Sequence, residues 1–341
     1  MVSALDISQI LFVVLGSLGG AIIIIVLLYV LVSYIAFSKL IKRPKKQMSM
    51  NGDNPFISLM GEDALDFIDY IKPKIQQHRA LVTEPVEIKT NDGLTLRGDF
   101  YRAEEPTKKT IICMHGYSSG PEFDFSAITP FLHKQGFNLL FVNHRAHGKS
   151  DGKYIGFGVL DHLDSLKWIE ATIELIPNAE IILYGVSMGG ATVMMASGLD
   201  LPPNVKAVVE DCGYTGVWDI FSYQIRQMYN LRPFPIVHLA ESFSKMHAKY
   251  SFRKTSPVTS VQKAVVPILF IHGGRDVFVP TFMGEANYEA CTSAKDILII
   301  EDAGHAQSYY KNPELYEETL LTFLNKHFDS SNKNKVSELK E

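Results

Sequence analysis

The sequence predicts an α/β fold, a mostly parallel eight-stranded sheet with helices on both faces. Short apolar runs rich in Ile, Val, Leu and Phe alternate with longer segments of helical periodicity. That alternation builds a parallel sheet whose strands are buried on both sides. The residues with the most reactive side chains sit just past the ends of those runs, where such sheets bind ligands. Composition agrees: of 341 residues, 46% are hydrophobic and 21% charged, with no low-complexity tract, which is ample for a large core and unlike a disordered chain.

The N-terminal element is the most apolar. No charged side chain occurs between Asp6 and Lys39, and Ile10 to Phe37 is almost wholly apolar. About 20 apolar residues cross a bilayer, so residues 1–38 are expected to form a single transmembrane anchor. A cleavable signal would want a basic start, whereas this start carries Asp6 and no Lys or Arg. Lys39, Lys42, Arg43, Lys45 and Lys46 follow the apolar stretch, and the positive-inside rule places the bulk of the chain on the cytoplasmic side of the cell membrane. Residues 39–84 read as a basic juxtamembrane segment and a linker helix. There Leu65, Ile68, Ile71 and Ile75 recur at helical spacing, opposite Glu62, Asp63, Asp66 and Asp69. This helix is expected to pack on the main domain, with Pro73 bending or restarting it.

The main domain spans 85–328, followed by a polar tail, 329–341. Two strands near 86–101 flank Asn91-Asp92-Gly93, a hairpin signal for an antiparallel edge. Strand 109–114, a helix near 122–135, strand 137–142, helix 161–173, strand 180–184, helix 188–198 and strand 205–210 come next. Strands 266–272 and 296–300 complete the sheet. Residues 213–265, between two of these strands, are too long for a simple crossover and are expected to form a helical cap. This segment is rich in aromatic residues and Met, and it carries Arg226, Arg232, Lys245, Lys249, Arg253, Lys254 and Lys263 against Asp219 and Glu241. Such side chains suit an apolar acyl or aryl ligand, although many must pack the cap itself.

The chemistry-bearing motif is Gly185-Val186-Ser187-Met188-Gly189, between a strand and a helix. A sharp turn there lifts the serine out of the backbone, and the two glycines let the turn close. Asp276 and His305 each follow a later strand. A serine hydroxyl becomes nucleophilic when an imidazole takes its proton and a carboxylate orients that imidazole. The order Ser187, Asp276, His305 is the arrangement found on α/β sheets of this kind. An oxyanion hole needs two backbone N–H groups. Met188, after the nucleophile, and Tyr117, in the loop His115-Gly116-Tyr117, are the expected donors. His115, Trp218, Phe221 and Phe278 are the expected substrate contacts.

Five motifs together resemble the α/β-hydrolase superfamily over residues 84 to 328. They are His-Gly-Tyr at 115–117, Asn-His-Arg-Ala-His-Gly-Lys-Ser at 143–150, Gly-Val-Ser-Met-Gly at 185–189, the run from His272 to Pro280, and Ala-Gly-His at 303–305. Within that superfamily the chain is similar to the serine aminopeptidase and monoacylglycerol-lipase-like group, including its membrane-anchored bacterial members. Relatives usually begin the second motif with Asp and carry Gly before its second histidine; here Asn143 and Ala146 stand there. The resemblance implies a membrane-anchored serine hydrolase that cleaves carboxylic ester or thioester bonds of apolar acyl substrates. An aminopeptidase-like peptidase and a non-catalytic membrane scaffold are the alternatives. No cofactor or metal is expected. His144 and His147 lie on a loop beside Gly148 and read as a structural turn, and no His-Glu-x-x-His, Walker A or nucleic-acid motif occurs. Cys113, Cys212 and Cys291 lack metal spacing and are expected as buried thiols. The expected partners are a small acyl ester or lipid-like substrate and membrane lipid.

Overall fold

The structure, a computed structural model, describes residues 6–44 and 63–328. Lys45, Lys46, Glu62, the intervening linker and the polar tail lie outside the described residues. Helix α1, Ile7–Leu40, opens the chain. At ~1.5 Å per residue it is about 51 Å long, more than a hydrocarbon core of ~30 Å. Its upstream face is exposed, but Ser33, Phe37 and Ile41 are buried. Helix α2, Ala64–Arg79, runs unbroken through Pro73, which is exposed on its outer face. Water can satisfy the carbonyl that a proline leaves without a donor there. Ala64, Phe67, Ile68, Ile71 and Ile75 form its buried stripe, while Leu65 points outward.

Strands β1, Glu84–Lys89, and β2, Thr95–Tyr101, pair antiparallel as the turn signal requires. Then come β3, Lys109–Met114; α3, Pro121–Asp124; α4, Thr129–Lys134; and β4, Asn138–Val142. The single helix expected near 122–135 is thus two short ones, because Pro130 restarts the backbone at the first turn of α4. Helix α5, Asp161–Leu175, leads to β5, Glu180–Val186, then α6, Met188–Ser197, and β6, Val205–Asp211. The cap comprises α7, Val217–Tyr229, α8, Pro233–Phe243, a π-helical turn at Ser244–Ala248 and α9, Pro257–Ser260. Strand β7, Ile268–Gly273, α10, Thr281–Ala290, β8, Lys295–Ile300, α11, Ser308–Lys311, and α12, Pro313–Phe328, finish the fold.

The sheet order is β1-β2-β4-β3-β5-β6-β7-β8, parallel except where β2 meets β1 and β4. Successive side chains on a strand face opposite sides. Ile112 and Met114 therefore join one apolar layer with Trp168 of α5 and Val193 of α6. Ile111 and Cys113 join the other, with Tyr316, Leu320 and Phe323 of α12. A third cluster lies outside the sheet and joins Phe37 and Ile41 to Val217, Ile220 and Val237 of the cap and to Met188. Phe37 packs on Tyr154, Phe243 and His247, so the first helix docks on the cap. Parallel pairing brings the C-terminal ends of β3, β5, β7 and β8 to one edge, and the site is built there.

Candidate active site

Strand β5 passes into α6 through Ser187, whose φ is 55°, a conformation that side chains with a Cβ rarely adopt. Its N–H donates to the Asp211 carbonyl at 2.7 Å, and its carbonyl receives the Ala191 N–H. The glycines are required by contact. A Cβ on Gly185 would lie 2.1 Å from the Gly189 oxygen, and one on Gly189 would lie 1.8 Å from the Met114 oxygen.

The acid and base loops are tied together by their backbones. Gly274 N–H donates to the Ile300 carbonyl and Arg275 N–H to the Ala303 carbonyl. This brings Asp276 Oδ2 to 2.7 Å from His305 Nδ1, and His305 Nε2 to 3.0 Å from Ser187 Oγ. All three side chains are buried. Asp276 Oδ1 accepts the N–H groups of Phe278 and Val279. Burial opposes its charge, but His305 and the hydrogen bonds from His272 and His305 outweigh that and pull it down to about 2. Asp211, the other acid at the end of a strand, does not reach His305; its Oδ2 accepts the Tyr316 hydroxyl at 2.9 Å. Cys212 Sγ lies within 4.8 Å of the Asp276 and His305 ligand atoms, and burial pushes the thiol well up, so it stays protonated. All three cysteines are free and buried.

The loop after β3 reaches the serine. A Cβ on Gly116 would sit 3.3 Å from Ser187 Cβ, so only glycine allows this approach without displacement. Met188 begins α6, and its N–H is among the four that a helix leaves without an intrahelical partner. Sequence reasoning missed Asp124. Its Oδ2 accepts the Gly116 N–H at 2.6 Å and its Oδ1 the Ser119 hydroxyl. Its one sequence signal is an acid a few residues past the His-Gly turn.

Of the four expected substrate contacts, Phe278 lies on the His305 ring, with centroids 4.9 Å apart, and Trp218 lines an open groove of about 1180 Å³. That groove also carries Tyr223, Leu231, Phe234, Phe282 and Met283. The other two are taken up by packing. His115 is fully buried, with Nδ1 at the Gly116 carbonyl and Nε2 receiving the His144 N–H. Phe221 packs edge-on to Phe157 and Phe252. Ala146 has φ 62°, the left-handed conformation that explains the glycine usual there in relatives.

Beneath the site, His272 Nε2 lies 3.4 Å from Asp276 Oδ2. Burial opposes its charge, but Asp276 and Glu210 prevail and raise it to about 9. Burial also raises Glu210 to about 8. A raised histidine contributes stability that is complete below its unfolded value near 6.5 and lost as pH rises through 9. A raised carboxyl acts in the same direction, from about 4.5 through 8. The thermal midpoint should therefore fall by several degrees between pH 6.5 and 9, read by scanning calorimetry in matched buffers. A flat or rising midpoint would contradict this account of the pair.

The α/β hydrolase fold profile matches residues 109–231. The uncharacterized protein YqkD of Bacillus subtilis is 30% identical over 240 residues, 70% of this chain and 78% of that protein. Among solved structures, the Pyrococcus furiosus esterase Pf2001 superposes with a TM-score of 0.61 at 23% identity, covering 74% of this chain and 93% of that one. A Pyrococcus horikoshii acylaminoacyl peptidase superposes with a TM-score of 0.53 at 20% identity, covering 74% and 43%. The chain belongs to the α/β-hydrolase family.

Proposed function

We propose that this chain is a serine hydrolase that cleaves carboxylic ester or thioester bonds of apolar acyl substrates, held to a membrane by α1 with its main domain on the cytoplasmic side. The observation that carries the proposal is the continuous line from Asp276 through His305 to Ser187, with hydrogen bonds of 2.7 and 3.0 Å. His305 Nε2 takes the hydroxyl proton as Oγ attacks the acyl carbon. The oxygen that gains charge is held by the N–H groups of Tyr117 and Met188. His305 then gives the proton to the departing alcohol or thiol, and water releases the acid by the reverse path.

The cap groove, which Ser187, Asp276 and His305 do not border, has apolar walls in Trp218, Leu231, Phe234 and Phe282 that suit an acyl chain or apolar leaving group. Peptidase action on a free N-terminus needs a carboxylate to hold the amine. Glu241 in the cap is already bound by Arg253, Lys245 and Ser251, and Asp219 accepts the Thr215 hydroxyl. Nitrophenyl esters of graded chain length, assayed beside amino-acid nitroanilides, test the proposal. Esters should be turned over and the anilides left intact. Anilide turnover matching that of the esters would assign the chain to the peptidases.

A further inference from the structure

The loop from His115 to Gly120 must keep one shape to aim an N–H at a developing oxyanion, yet it carries no helix or strand of its own. Ser118, directly after Tyr117, has φ 52°, a left-handed conformation that a residue with a Cβ rarely adopts. Asp124 ties Gly116 and Ser119 on either side, and one specific bond holds Ser118 itself. The Ser118 N–H donates to His147 Nε2 at 3.1 Å. The other ring nitrogen, Nδ1, lies 3.0 Å from the Arg145 carbonyl, an acceptor with no proton to give. The proton therefore sits on Nδ1, and Nε2 is left with the lone pair that Ser118 needs.

His147 is in turn seated from outside the sheet. Arg43, just past α1, donates through Nη1 to the Ser150 carbonyl at 2.6 Å and through Nη2 to the Gly148 carbonyl at 2.7 Å. Its own N–H donates to Lys153, and Ile155 N–H donates to Ile41. The segment leaving α1 is thus paired along 148–155, the stretch that begins one residue after His147. Arg43, Ser118 and His147 share the walls of one cleft of about 540 Å³, on which no residue of the Ser187, Asp276 and His305 line borders.

We propose that His147 and Arg43 are positioning residues for the oxyanion loop, one holding Ser118 directly and the other fixing the turn that presents His147. This rests on the reading of Tyr117 and Met188 as oxyanion donors. The electrostatics agree. Burial first, then the neighbouring His115, and to a smaller degree Arg43, disfavour the charged form of His147, against the pull of Asp161 and the Arg145 carbonyl, and bring it down to about 3. The ring thus stays an acceptor across the working pH range. His144, on the same turn, lies edge-on to the His147 ring, while the Arg145 guanidinium is paired with Asp92 and Asp164.

The test is steady-state kinetics of the full-length protein in detergent on one soluble ester. His147→Leu removes the acceptor and should lower kcat about tenfold or more, short of the ~10²–10³-fold seen when an oxyanion donor is lost outright, with KM changed by less than about twofold. His147→Gln, whose carbonyl oxygen can reach the same N–H, should recover most of kcat. Arg43→Gln should lower kcat by less, again without a KM change, and its exposed position lets the fold tolerate it. If His147→Leu does not fold, the Gln variant and Arg43→Gln still decide. Unchanged kcat in all folded variants of an active wild type overturns the inference alone. A purely structural role would appear as equal losses in the Gln and Leu variants, and would overturn it too. A wild type that turns over no ester removes the oxyanion reading beneath it as well.

Discussion

Ser187→Ala is expected to leave the fold intact and to lower ester turnover by about 10⁴-fold or more. The substitution removes one buried oxygen and nothing else. Alanine meets the same backbone conformation at φ 55° that serine does, so the strain of the turn is unchanged. The main-chain bonds from Ser187 to Asp211 and Ala191 do not use the hydroxyl. His305 keeps its bond to Asp276, so the imidazole remains oriented with no alcohol to activate. The thermal midpoint should shift by little, and covalent labelling by a fluorophosphonate probe should vanish together with turnover. Persistence of either in the purified variant would mean that the attacking group lies elsewhere, and the proposed mechanism would not survive it.

The parts of this site that sequence made legible are those that depend on strand ends. Ser187, Asp276 and His305 each follow an apolar run, and parallel pairing fixes where such runs end relative to one another. The glycines at 185 and 189 were legible for the same reason, because a strand that turns at once into a helix leaves no room for a Cβ. What escaped depends on partners distant in the chain. The apolar stretch of α1 announces a membrane-length helix, but nothing local says that Phe37 packs against Phe243 or that Arg43 reaches Gly148. Leu65 fits the helical stripe by spacing yet faces solvent, while Ala64 and Phe67 take the buried positions. A stripe a few residues long fixes a helix, and the docking partner fixes which edge of the stripe is covered. His115 at a strand end before a glycine also reads as a loop-backbone partner, and it bonds the Gly116 carbonyl and the His144 N–H; as substrate contacts, His115 and Phe221 rest on residue type alone. Both are consumed by packing, which residue type cannot reveal.

Gly189→Ala carries the other large effect, and it falls on folding rather than chemistry. The added Cβ would sit 1.8 Å from the Met114 oxygen, 2.6 Å from its carbonyl carbon and 2.9 Å from the His115 oxygen. Each of these is backbone, at the end of β3 where the loop carrying Tyr117 begins, so no side chain can rotate away. Either α6 lifts from the sheet or β3 is pushed back along its pairing with β4 and β5. Overpacking a tight core typically costs about 1–3 kcal/mol, and an immovable contact this short belongs at or beyond the top of that range. The variant should therefore accumulate poorly, and any folded fraction should be inactive because the Tyr117 loop has moved. Gly190→Ala is the control one residue on. There the nearest atom, the Asp211 oxygen, is 3.0 Å away, so a shift of a few tenths of an ångström suffices. Comparing soluble yield and thermal midpoint between the two separates a general cost of filling α6 from the specific collision at β3. Equal tolerance of both substitutions would mean that α6 does not press on the strand as closely as these contacts require.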